Sequence, residues 1–145
     1  PTLMFRMANQ RHNMILEAEV HAMLARNEIS PEGVAMRRPY DLRLVRGRNA
    51  LFQLSWTVMH TLADGSPLAG VDAEQLNDSA ADYELIVTVM GLDETFHQTV
   101  HARHTYRAAD IRFNYRFADI INRLDDGRWT IDYARFNELD EENRT

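Results

Sequence analysis

Glu94, His97, His101 and His104 fall within eleven residues. Imidazole and carboxylate groups so gathered are the raw material of a metal site. A metal needs its ligands on one side, however, and along a strand His97 and His101 share a face while His104 points to the other. Three ligands from this segment would need a bulge, so packing or polar roles suit these histidines better, and no metal is expected. Nucleophilic chemistry has still less support. No serine stands in a nucleophile elbow, and the absence of cysteine removes thiolate nucleophiles, thiolate metal sites and disulfides together. Six scattered glycines form no phosphate-binding loop. No residue is assigned a catalytic role and no cofactor is expected. Two further groups are noted. Arg37, Arg38, Arg43, Arg46 and Arg48 are suited to an anion or lipid headgroup, or equally to a solvated loop balancing acidic neighbours. Glu17 reads, by composition alone, as an exposed strand glutamate.

The chain that must position these groups has 145 residues, 45% of them hydrophobic and 26% charged, with a net charge of -6. That length suits one domain over residues 1–145, able to bury roughly 68–70% of its unfolded surface. The surplus of acid argues against a nucleic-acid binder and a polybasic membrane patch. No window approaches the roughly 20 apolar residues of a membrane helix. The amino end, Pro1-Thr2-Leu3-Met4-Phe5-Arg6, shows neither an initiator Met nor a signal-peptide pattern, which suggests that something precedes it.

Period-2 patterning dominates. Met14, Leu16, Ala18, Val20, Ala22 and Leu24 alternate with a wetter face that includes Glu17, Glu19 and His21. Strand and helix both fit this run, because Leu16, Val20, Met23 and Leu24 also obey helical spacing. Residues 51–59 place Phe52, Leu54, Trp56 and Val58 on one face. Residues 83–92 form an apolar, β-branched run, and residues 99–106, 113–124 and 129–133 complete the strand candidates. Asp125-Asp126-Gly127 signals a hairpin, while Ser30-Pro31-Glu32-Gly33 and Asp64-Gly65-Ser66-Pro67 read as turns. Only residues 72–78 ask to be helical, with Asp72 at the cap and Gln75 in the capping-box position. The pattern predicts a mainly β protein, a sandwich with one or two short helical turns. Its ordered core should cover about residues 3–137, and the acidic tail, residues 138–145, should fray.

The motifs are more specific than the pattern. Arg6-Met7-Ala8-Asn9-Gln10-Arg11 leads into Leu16-Glu17-Ala18-Glu19-Val20. Ser30-Pro31-Glu32-Gly33, Ser55-Trp56-Thr57-Val58-Met59-His60, Ser66-Pro67-Leu68 and Val100-His101-Ala102-Arg103-His104-Thr105-Tyr106 follow in order. Arg116-Phe117-Ala118-Asp119, Asp126-Gly127-Arg128 and Asp132-Tyr133-Ala134-Arg135-Phe136 close the series. Over about residues 3–137 this order resembles the cytoplasmic carboxy-terminal domain of prokaryotic inward-rectifier potassium channels.

The resemblance implies an immunoglobulin-like β-sandwich and makes residues 14–24 a strand. It also implies a pore-extending, gating-regulatory domain on the cytoplasmic side of the inner membrane, working as a homotetramer beneath its own transmembrane pore domain, which would lie before Pro1. Potassium would be the permeant ion, and the domain would catalyse nothing. Glu17 aligns with the family's pore-facing glutamate, and Thr95, Phe96, His97 and Gln98 with its membrane-side constriction. Arg6 and Arg11 match membrane-proximal basic positions that could meet anionic lipid headgroups. There are departures too. Arg46-Gly47-Arg48-Asn49 stands where strong rectifiers carry acid, so weak block is expected. His97 replaces a glycine, making proton sensitivity a hypothesis, and Asn9 replaces the aspartate of sodium-activated relatives, so no sodium site is expected. The rival readings are a free-standing β-sandwich adaptor or chaperone that binds a partner strand, and a metal enzyme using Glu94, His97 and His101.

Overall fold

The computed structural model describes residues 1–9, 14–52 and 55–141. The chain divides into two compact units, Pro1–Ile111 and Arg112–Thr145.

The first unit is built on antiparallel strands. β1 (Thr2–Ala8) is followed by β2 (Ile15–Ile29), β3 (Ala35–Asp41), β4 (Arg48–Phe52), β5 (Ser55–Thr61), the single-turn helix α1 (Ala73–Leu76), β6 (Glu84–Asp93) and β7 (Gln98–Arg107). A five-stranded sheet runs β3-β2-β6-β7, with β4 also paired to β2, and β1 pairs β5 in a separate ladder. Alternation explains the packing. Val20, Ala22 and Leu24 of β2, with Leu85 and Val87 of β6, turn inward against Phe5 of β1 and Trp56 and Val58 of β5. Each strand therefore gives every second residue to one shared core, as in a sandwich. Residues 14–24 are strand, in agreement with the resemblance.

The stretch 51–59, expected as one strand, is divided. β4 belongs to the five-stranded sheet and β5 to the β1 ladder, although Phe52, Trp56 and Val58 are all buried. Leu54 lies outside the described residues. β3 was not foreseen, because Arg37-Arg38-Pro39 interrupts any apolar alternation. The turns are as expected: Gly33 and Gly65 take φ of 82° and 92°, and Val34 N–H donates to Ser30 Oγ at 3.1 Å. The capping box of α1 is complete. Gln75 N–H donates to Asp72 Oδ1 at 2.8 Å, and Asp72 N–H to Gln75 Oε1 at 3.0 Å.

The second unit holds β8 (Tyr115–Phe117), β9 (Ile121–Arg123), β10 (Trp129–Ile131) and β11 (Leu139–Glu141). β9 and β10 make the hairpin that the Asp-Gly pair predicts, with Gly127 at φ 87°. The run 113–124 is two short strands rather than one. Residues Leu139–Glu141 pair with β8 instead of fraying, though all three are exposed.

Candidate functional site

β2 begins with a fault that places Glu17. Leu16 stands opposite Leu92 of β6 and Glu19 opposite Met90, so Glu17 and Ala18 together face the single residue Gly91. This is the two-against-one count of a β-bulge. Ile15 and Ala18 both turn into the core, while Leu16 and Glu19 turn outward. Glu17 absorbs the extra length with φ 49°, in the left-handed region, and its side chain is exposed. Among the described residues its carboxylate has no ion-pair partner. Gly91 is what permits the close approach. A Cβ there would collide with Ile15 Cγ2 and sit 3.3 Å from Leu16 O and 3.4 Å from Ala18 Cα.

Two residues further along the sheet, β6 turns back into β7. Asp93, 1% exposed, stands opposite Ile15 and Gln98. Its Oδ1 accepts from Thr95 N–H at 2.9 Å and Phe96 N–H at 3.2 Å, and Glu94 N–H donates to Met14 O at 3.2 Å. A buried carboxylate holding two loop amides fixes the turn it precedes. Thr95, Phe96, His97 and Gln98 are thus brought together at one exposed tip; Phe96 is 61% exposed and His97 takes φ 51°. With a strand rise of about 3.4 Å per residue, Glu17 lies roughly 7 Å along the sheet from the Asp93 row.

The histidines do not converge. His97 is a turn residue rather than a strand neighbour of His101, a difference caused by the four-residue hairpin. His101 shares the outer face with Arg103, and His104 on the other face meets the Tyr106 ring edge-on at 4.5 Å. Among the described residues no three His, Asp or Glu groups are placed to hold a metal.

Other foreseen residues are dispersed. Glu19 Oε1 lies 3.4 Å from His21 Nε2 and 3.5 Å from Arg48, so one arginine of the Arg46–Asn49 stretch is already engaged. His21, Met23, Asp41, Ile86 and Thr88 line an open groove of about 520 Å³ on the same outer face. Arg6 is half-buried on β1 opposite Thr57, and Arg11 lies outside the described residues. Asn9 is buried and donates to Phe52 O at 3.3 Å.

Two polar clusters, one around the buried His60 and one around the half-buried Arg26, were not read from sequence. His60, 4% exposed, bonds Arg43 O at 2.8 Å through Nδ1 and Ser66 Oγ at 2.7 Å through Nε2. Because a carbonyl only accepts, Nδ1 carries the hydrogen. Arg26 donates to Glu28 Oε1 at 2.7 Å and Pro67 O at 2.8 Å, beneath the Tyr40 ring at 4.8 Å. Burial opposes the Arg26 charge, but hydrogen bonds to Glu28, Tyr40 and Tyr83 overcome it and raise its pKa. The Tyr40 hydroxyl, and then Arg26, hold the Glu28 carboxyl below its ordinary value. Gly91 did carry a signal, since an isolated glycine inside an apolar strand marks a bulge or close approach.

These features define a mainly β module whose exposed carboxylate and hairpin sit at one end of the five-stranded sheet. Residues 2–144 match the family model described as the inward rectifier potassium channel C-terminal domain, and the chain belongs to that family. It is 45% identical over 139 residues to the inward rectifier potassium channel Kirbac3.1 of Paramagnetospirillum magnetotacticum, covering 96% of this chain and 46% of that protein. It is 33% identical over 137 residues to ATP-sensitive inward rectifier potassium channel 11 of Oryctolagus cuniculus, covering 92% of this chain and 35% of that one. The chain spans less than half the length of these curated relatives, which are potassium channels rather than enzymes.

Proposed function

We propose that this chain extends the potassium pathway of a tetrameric inward-rectifier channel on its cytoplasmic side, with Glu17 toward the shared axis and Thr95–Gln98 as the constriction. The observation that carries the reading is the Glu17 bulge: a carboxylate with no ion-pair partner among the described residues, pushed out of the sheet, braced by Gly91, beside a hairpin that Asp93 holds. The membrane-spanning pore, anionic lipid at Arg6 and Arg11, and coupling between subunits belong to the same proposal.

The electrostatics are of a useful size. Four carboxylates at an assumed distance of about 8 Å from an axial cation contribute roughly 0.5 kcal/mol each at the dielectric of water. Salt with a Debye length near 8 Å removes much of that sum. A few-fold enrichment of cations remains, strong enough to feed a pore and too weak to trap an ion.

In a channel containing this chain, Glu17→Gln should lower potassium conductance about two- to threefold at low ionic strength, and less at high salt. Unchanged single-channel conductance at low salt would overturn the assignment of Glu17.

A further inference from the structure

β2 changes partners along one of its sides. Its first residues, as far as Glu19, pair with β4, and Met23 to Ile29 pair with β3. Between them the chain from Leu42 to Gly47 leaves the sheet, so Val20, His21 and Ala22 have no strand beside them there. Two hydrogen bonds mark the rims of this notch. Leu42 N–H donates to Ala22 O at 2.9 Å, and Val20 N–H donates to Gly47 O at 2.8 Å.

Those two bonds also fix a direction. The N–H and C=O of one residue in an antiparallel strand point to the same side, so Val20 and Ala22 both turn their main chain toward the notch. Their remaining groups, Ala22 N–H and Val20 C=O, have no hydrogen-bond partner among the described residues. Both residues are buried, at 4% and 3% exposure. More than nine in ten buried main-chain groups are paired, so an open donor and an open acceptor two residues apart call for a partner from outside the chain.

There is room for one. Val20 and Ala22 line the open groove of about 520 Å³. Asp41 adds an exposed carboxylate to its wall, with no ion-pair partner among the described residues. Met23, Leu44 and Ile86 supply apolar surface.

The chemistry of these groups selects the occupant. Ala22 N–H requires an acceptor, while Val20 C=O and the Asp41 carboxylate require donors. An anionic carboxylate brings oxygens without hydrogens and is repelled by Asp41. An amidinium or ammonium brings hydrogens but leaves Ala22 N–H unmatched. A primary carboxamide carries both functions on one carbon. Its oxygen accepts from Ala22 N–H, its two hydrogens serve Val20 C=O and Asp41, and its hydrocarbon lies along Met23, Leu44 and Ile86.

We propose that the notch between β3 and β4 is a binding site for a small-molecule primary carboxamide with an apolar body. This goes beyond the ion-pathway reading and does not depend on it.

The test titrates the isotope-labelled 145-residue chain with benzamide and follows amide resonances. Ala22 and its neighbours His21 and Met23 should shift and saturate, with a dissociation constant on the order of 1 mM for so small a ligand. Three probes of similar size separate the contacts. Benzoate, benzamidine and N,N-dimethylbenzamide each lack one required function, and each should bind about fivefold more weakly or worse. Asp41→Ala should weaken benzamide about threefold, strengthen benzoate, and leave the urea midpoint unchanged. An Ala22 resonance unmoved by about 20 mM benzamide overturns the proposal. Equal binding of N,N-dimethylbenzamide overturns the carboxamide assignment, and a preference for benzamidine would assign the groove to organic cations instead. A water contact to Ala22 N–H that survives saturating benzamide would give the notch to solvent and overturn the site.

Discussion

A left-handed backbone disfavours glutamate by roughly 1–2 kcal/mol, yet Glu17 holds φ 49°. Its neighbours impose that conformation. Ile15 and Ala18 are both buried, and only an extra residue between them lets a strand turn both into the core. The bulge in turn depends on the missing side chain of Gly91. Gly91→Ala should destabilise the chain by about 1–3 kcal/mol, as overpacking against a fixed backbone does, read as a lowered midpoint in urea unfolding with an unchanged slope. A midpoint equal to the parent would show that the bulge relaxes freely. The sequence places Glu17 on the wet side of β2 correctly. The alternation itself could not reveal the bulge, because a strict period of two assigns Ile15 outward and Leu16 inward, and the structure does the reverse.

At the scale of elements, side-chain networks rather than propensity hold β2 and β3 in register. Glu28, Arg26 and Tyr40 join those two strands, with Arg38 at 3.8 Å from Glu28 Oε2. The Glu28 carboxyl is held below its ordinary value near 4.5. A carboxyl depressed by folding contributes stability that is present above the unfolded value and lost as pH falls through the folded one. The parent chain should therefore lose stability more steeply than Glu28→Gln on acidification below about pH 4.5, and both curves should run parallel above it. Parallel curves throughout would detach Glu28 from acid unfolding. β3 itself was illegible, since Ala35–Asp41 is a polar edge whose place is decided by pairing with β2. The division of residues 51–59 was hidden for a related reason: inward-facing residues keep their alternation while the strand changes partner. Hairpin, turns and capping box were legible because glycine, proline and aspartate act locally.

For the whole molecule, the buried cluster of Phe5, Leu24, Val58, Leu85 and Val87 lies entirely within Pro1–Ile111. Arg112 and Phe113 follow in an exposed stretch, with Asn114 at φ 63°. Brief trypsin treatment should cut after Arg112 and leave a fragment that keeps its β-sheet circular dichroism and melts cooperatively. A non-cooperative melt would mean that the first unit does not fold by itself. The family motifs in the sequence pass through both units without a break, so the division at Ile111 had no sequence signal.

The pairing of β1 also has a mechanical side. Thr2 to Ala8 oppose Thr61 to Ser55 in seven consecutive rungs. A pull on Pro1 along the strand strains all seven together, in shear, so none can part before the others give. The short β9–β10 ladder, pulled apart at its open ends, yields one rung at a time. Force entering at the first residue is thus carried through β1 as through a tether, into a core that includes Phe5 and Val58, before any local pairing opens.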